Sequence, residues 1–253
     1  MRPDPGGHST PIASHRCRST SSTMQLEVLP DREALAERSA DFVAEAAGRA
    51  IAERGQFVFA VSGGSTPRRL LELLRDRDDI EWNRTHLFQV DERVAPDGHS
   101  DRNATMLSEA LLTPEFVAVH KLAGLWLMPV SDPDLIAGAN RYAATMDDVT
   151  GSPVVFDLIQ LGLGDDGHTA SLVPEDPILD VVDHDVSVTA EYNGRRRMSF
   201  TWPVLDRAKE QLWVVAGESK REALARYLAN DPQIPATLPT QARARVLVDT
   251  SAR

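Results

Sequence analysis

Apolar and polar residues follow two different periods along this chain, and its elements lie where one period gives way to the other. Over residues 31–54, Leu35, Phe42, Val43, Ala46, Ala50 and Ile51 fall on one side of a helix, with Asp31 as a candidate N-cap and Gly55 as the stop. Residues 56–61 form an apolar run of strand type that breaks at Ser62-Gly63-Gly64-Ser65-Thr66-Pro67, and leucines at helical spacing follow over 68–75. Residues 86–90 read as a second strand ending at Asp91-Glu92-Arg93, and helices are expected over 102–112 and 135–149. Buried-type strands are expected over 154–161 and 211–216, and a last strand over 245–249. Ser219-Lys220-Arg221-Glu222 has the form of a capping box opening a helix to Ala229.

Short apolar strands that alternate with helices predict an α/β fold: a mostly parallel, Rossmann-like sheet with helices on both faces. In such sheets ligands collect beyond the carboxyl ends of the strands. Gly63-Gly64, Asp91-Glu92-Arg93, the segment from Gly162 to His168, and the segment from Gly217 to Lys220 all fall at those ends.

Length and composition narrow the class. With 253 residues, 42% of them hydrophobic, the chain is expected to form one α/β domain over 24–253 behind a disordered tail over 1–23. That tail is rich in Ser, Thr, Pro, Gly, His and Arg and has no apolar stretch of secretory type. Its Arg and Ser content fits a transit peptide, but Pro3, Pro5 and Pro11 oppose an amphipathic helix, and Met24 is an alternative start. Cys17 is the single cysteine and lies in the tail, so an intrachain disulfide and a cysteine metal site are excluded. Apolar runs are too short to span a membrane, and a water-soluble, cytoplasmic protein is expected.

The net charge of the chain is −11; in the tail Arg2, Arg16 and Arg18 outnumber Asp4 by two, which leaves the body at −13. So acidic a body is a poor partner for nucleic acid. An anionic small-molecule substrate would need local cations and backbone NH groups working against that field.

Candidates for both are present. The two glycines of residues 62–67 let a ligand approach the backbone, and Pro67 suits a first helical turn, which together describe a phosphate cradle. The plain alternative is an ordinary turn with Thr66 as N-cap. The spacing matches neither a Walker A loop nor Gly-x-Gly-x-x-Gly. Asp91 and Arg93 could orient a sugar and grip a phosphate, or form a surface ion pair. Arg195-Arg196-Arg197 is by default a solvated charge run, yet it supplies positive charge just before the alternating segment 198–202. Lys220 stands at an expected helix N-terminus, where the dipole disfavours a cation unless an anion is bound. His168, two residues after Asp166 and followed by hydroxyls at Thr169 and Ser171, is suited to general-base work. No pair of histidines has metal-ligand spacing, and no Gly-x-Ser-x-Gly occurs.

Taken in order, Val61-Ser62-Gly63-Gly64-Ser65-Thr66-Pro67, Asp91-Glu92-Arg93 with Arg102-Asn103, the stretch from Gly162 through Gly164-Asp165-Asp166-Gly167-His168-Thr169-Ala170-Ser171 to Leu172, Arg197-Met198-Ser199-Phe200-Thr201, and Gly217 to Lys220 resemble the 6-phosphogluconolactonase family. The wider superfamily also contains glucosamine-6-phosphate deaminases. The resemblance implies hydrolysis of 6-phospho-D-glucono-1,5-lactone to 6-phosphogluconate in the oxidative pentose phosphate pathway, with no metal or organic cofactor. It implies that His168 deprotonates water, that Asp166 orients the site, and that Ser62, Gly63, Gly64, Ser65, Thr66, Asp91, Arg93, Thr169, Arg197 and Lys220 hold the substrate. A monomer or small homo-oligomer is expected. The chain departs from the family at Val173, where Phe is common, and in the Ser100-Asp101 that precedes Arg102.

Two other functions stay open. A glucosamine-6-phosphate deaminase usually carries Tyr at the position of Arg93 and, at that of Val173, a Glu that tunes the histidine. A sugar-phosphate-sensing regulator would need a DNA-reading module, for which 23 tail residues are too few.

Overall fold

The computed structural model describes residues 24–253, so the expected tail over 1–23 lies outside the described residues. Ten strands and seven helices follow in chain order: β1 (Gln25–Leu29), α1 (Arg32–Arg54), β2 (Phe57–Val61), α2 (Ser65–Arg75), β3 (Thr85–Gln89), β4 (Asp91–Arg93), α3 (Asn103–Ala110), α4 (Pro114–Val119), β5 (Gly124–Trp126), α5 (Leu135–Thr150), β6 (Leu158–Leu161), β7 (Val186–Val188), β8 (Arg197–Phe200), α6 (Trp202–Arg207), β9 (Glu210–Val215), α7 (Arg221–Leu228) and β10 (Ala244–Asp249).

Seven strands form one sheet in the order β1-β10-β9-β6-β2-β3-β5, and every pairing in it is parallel. Alternation along each strand divides the apolar side chains between two layers. Val58 and Ala60 of β2, Trp213 and Val215 of β9, and Val246 and Val248 of β10 face a core completed by Tyr142 and Met146 of α5, Leu205 of α6 and Leu224 of α7. Phe57 and Phe59, Leu212 and Val214, and Leu247 face the opposite core, closed by Phe42 of α1, Leu70 and Leu74 of α2, Leu107 of α3 and Phe116 of α4. The expected Rossmann-like, helix-covered sheet is the fold of the described residues. A second, antiparallel sheet, β4-β8-β7, lies on the first core through Val186, Met198 and Phe200.

Local chemistry accounts for several boundaries. Asp31 accepts from the Ala34 NH at 2.9 Å, and Gly55 ends α1 in the left-handed region at φ 79°, as the sequence indicates. The strand expected over 154–161 is formed only by Leu158–Leu161, because the carbonyl of Val154 is taken by Arg207 and the Asp157 carboxylate accepts the Val58 NH at 2.9 Å. The capping box does not form. A 3-10 turn over Glu218–Lys220 precedes α7, and the Ser219 hydroxyl turns to Asp165 at 3.3 Å. No helix of the described residues is long and apolar enough to cross a membrane.

Candidate active site

The order of the seven-stranded sheet reverses between β2 and β6. The chain runs from β2 outward to β3 and β5, then returns to β6 on the other side of β2 and continues outward to β9 and β10. Loops leaving the two central strands therefore diverge and open a crevice at their carboxyl ends. A cleft of about 420 Å³ occupies that position. Its lining includes Ser62, Gly63, Gly64, Ser65 and Thr66 after β2, Asp91 and Arg93 of β4, Asp166 and His168 after β6, Arg197 of β8 and Lys220 after β9. The structure thus gathers every sequence-predicted site residue except Thr169.

His168 Nδ1 lies 2.6 Å from Asp166 Oδ1, which also accepts the His168 backbone NH at 3.1 Å. An ionised Asp166 accepts only, so Nδ1 carries the proton and Nε2 keeps its lone pair. Burial acts to raise the Asp166 pKa, but the His168 backbone NH, the His168 ring and the Tyr192 hydroxyl outweigh it and hold the carboxyl below its ordinary range. Gly164 is required here, since a Cβ on it would lie 2.1 Å from His168 Nδ1.

Cationic side chains line the same cleft. Arg93 Nη1 donates to the Asp101 carbonyl at 2.8 Å and to Asn103 Oδ1 at 3.2 Å, which fixes the guanidinium. Asn103 itself fills the space beside Gly63, where a Cβ would lie 1.8 Å from its Oδ1. Arg197 is buried, its Nε has no hydrogen-bond partner, and burial lowers its pKa from the usual guanidinium value. A buried guanidinium donor without an acceptor is costly unless an anion arrives to take it. The N-terminus of α2, with free NH groups at Ser65 and Thr66 and Gly64 at φ 122°, faces the same cleft. Its first residue is Ser65, so Thr66 is a first-turn residue and not the N-cap.

Buried Asp91 joins the walls. It accepts from Ser171 Oγ at 2.6 Å and from Asn103 Nδ2 at 3.3 Å, and burial raises its pKa against the pull of Ser171, Arg93 and Arg197. Beside it, Glu92 is fully buried and accepts the NH groups of Arg93, Asn103 and Ala104 at 2.8, 2.7 and 2.8 Å. It thereby anchors the start of α3 to β4.

Three expectations change. Thr169 is 1% exposed and lies outside the cleft lining, and its hydroxyl donates to the Gly162 carbonyl at 2.9 Å, which ties the loop. Lys220 already has an anion, Asp165, at 2.5 Å. Of the three consecutive arginines only Arg197 lines the cleft; Arg195 is held by Asp101 at 2.7 Å and Arg196 by the Thr189 carbonyl at 3.3 Å.

The sequence reading missed Tyr192, whose hydroxyl donates to Asp166 Oδ2 at 2.9 Å, and the roles of Asn103 and Asp165. Asn193-Gly194, with φ of 52° and 75°, is a hairpin-turn signal that could have directed attention to Tyr192.

The family model for glucosamine-6-phosphate isomerases/6-phosphogluconolactonase matches residues 30–248. A 6-phosphogluconolactonase of Synechocystis sp. is 40% identical over 215 residues, 83% of this chain and 88% of that protein. One from Pseudomonas aeruginosa is 34% identical over 203 residues, 77% of this chain and 82% of that protein. Among solved structures, 6-phosphogluconolactonase from Thermotoga maritima superposes with a TM-score of 0.77 at 23% identity, covering 89% of this chain and 98% of that one. A monomeric glucosamine-6-phosphate deaminase reaches 0.75 at 16% identity, covering 90% and 98%, so the fold is common to both activities. With a family match across nearly all of the described residues and relatives at this identity, the chain belongs to the glucosamine-6-phosphate isomerase/6-phosphogluconolactonase family.

Proposed function

We propose that this chain is a 6-phosphogluconolactonase, hydrolysing 6-phospho-D-glucono-1,5-lactone to 6-phospho-D-gluconate. The observation that carries the reading is the His168–Asp166 pair, which leaves one basic nitrogen in a cleft also lined by Arg93, Arg197 and Lys220. The curated relatives named above support it, since both carry this activity in their names.

In this reading His168 Nε2 takes a proton from water as the water oxygen bonds to the lactone carbonyl carbon. The resulting oxyanion meets backbone NH groups of the glycine-rich loops. The intermediate collapses, the bond between that carbon and the ring oxygen breaks, and the imidazolium returns its proton to the ring oxygen. The new carboxylic acid then loses its proton to solvent. Arg93, Arg197, Lys220 and the NH groups of Ser65 and Thr66 hold the phosphate. Because the ester is intrinsically reactive, positioning supplies most of the acceleration. The sugar hydroxyls fall to Asp91.

The position at which a deaminase is expected to carry Glu holds buried Val173, leaving Asp166 as the carboxylate on His168. A cytoplasmic enzyme that takes a small anionic sugar, and neither nucleic acid nor membrane, accords with a chain at −11. The test is acid release from fresh lactone against ammonia release from glucosamine 6-phosphate. Rapid acid release without ammonia is expected, and the reverse result overturns the reading.

A further inference from the structure

Resting on the lactonase reading, we propose that Tyr192 is a positioning residue: it holds the Asp166 carboxylate on His168 and keeps it off Arg197. Tyr192 reaches the cleft from a hairpin that is itself fixed. Its NH donates to the Arg195 carbonyl at 2.9 Å, Arg195 Nε is held by Asp101 at 2.7 Å, and the Arg197 NH donates to Thr189 Oγ1 at 3.0 Å. From this frame the phenol, whose hydroxyl also accepts from the Asn193 side chain, makes three contacts in the cleft. Its hydroxyl donates to Asp166 Oδ2 at 2.9 Å, its ring meets the His168 ring edge-on at 5.9 Å between centroids, and the Arg197 guanidinium lies 5.0 Å above its face.

The arrangement resolves a conflict built into the site. A carboxylate and a guanidinium combine as a bidentate pair in preference to most other partners. The Asp166 side chain is 34% exposed, and buried Arg197 has Nε unpaired. Direct pairing would take the carboxylate from His168 and the cation from an incoming phosphate. Tyr192 occupies the space between them, and the two ends of its side chain act differently. The ring satisfies Arg197 through its π face, a weak contact that substrate phosphate can supplement. The hydroxyl occupies the Asp166 oxygen that His168 does not use, fixing the rotamer of the carboxylate. Tyr192 is half-exposed and belongs to neither core, so its contacts in the cleft are its principal ones.

Two variants separate the hydroxyl from the ring. Tyr192→Phe keeps the ring and removes the donor. We expect kcat to fall about tenfold, the cost of one hydrogen bond to a charged group, with KM unchanged. The other charged groups around His168 are Asp165 on its own loop, Lys220 after β9, Asp91 and Arg93 on β4 and Arg197 on β8, and neither variant alters them. Tyr192→Leu removes the ring too, so KM for the lactone and the inhibition constant of 6-phosphogluconate both rise severalfold as Asp166 captures Arg197. Circular dichroism and thermal melts establish that both variants are folded. Wild-type kcat in the Phe variant overturns the proposal, as does an unchanged KM in the Leu variant. If the wild type itself releases no acid from the lactone, it is the lactonase reading that fails.

Discussion

The His168 ring fills the space that a side chain on Gly164 would need, and the Gly164 NH donates to the His168 carbonyl at 2.8 Å. The glycine is thus the floor on which the histidine rests. Gly164→Ala would set a Cβ 2.1 Å from Nδ1 and 2.7 Å from Asp166 Oδ1, so the pair has to move. A displacement of this kind costs roughly 100-fold in kcat. Steady-state kinetics beside a thermal melt will show a loss of turnover out of proportion to any loss of stability.

His168→Ala should lower kcat about 100- to 10,000-fold while phosphate binding persists. Inhibition by 6-phosphogluconate, measured on both proteins, checks that the cationic lining is intact.

Asp91 carries a stability cost. Burial raises its pKa above the ordinary value of 3.8. A carboxyl raised in the folded state takes nothing from stability below its unfolded pKa, where both states are protonated. It destabilises progressively as pH rises toward the folded pKa, and fully above that. Asp91→Asn should therefore be more stable than wild type at neutral pH, on the order of 1 kcal/mol, with the difference closing as pH falls through the carboxylate range. Activity should drop in the same protein. Urea unfolding at several pH values measures the first effect and the lactone assay the second.

Thr169→Val tests whether this hydroxyl serves the loop or the ligand. Loss of its bond to the Gly162 carbonyl should cost about 1 kcal/mol of stability and leave KM unchanged. A raised KM with unchanged stability would return Thr169 to the substrate.

Much of this was legible from spacing. The long helix α1 has eleven buried positions and a cap at each end, and β2, β9 and β10 are apolar runs that a two-sided sheet requires. Four polar motifs at strand ends pointed to one crevice. Pieces of three residues, β4, β5 and β7, are too short to show alternation, so the antiparallel sheet and the edge strand β5 went unseen. β1 escaped because Gln25 and Glu27 interrupt its apolar residues on an edge. Ser219 looked like a cap by its neighbours in sequence but bonds to Asp165, 54 residues away. Tyr192 stands in a polar stretch and acquires its role only when the hairpin folds against the β6 loop.

The segment carrying His168 is pinned along its length: Thr169 to Gly162, Ser171 to Asp91, and the Ala236 NH to the Gly167 carbonyl at 3.0 Å, with Ile234 packed where a Gly167 side chain would stand. A loop held by its own strand, by β4 and by the approach to β10 has no way to melt by itself. On heating, catalysis should persist until the whole sheet gives way, so that inactivation and loss of helical signal follow one curve. The bonded amide protons of the segment, those of Gly164, Gly167 and Ser171, should stay protected from exchange until the sheet itself opens.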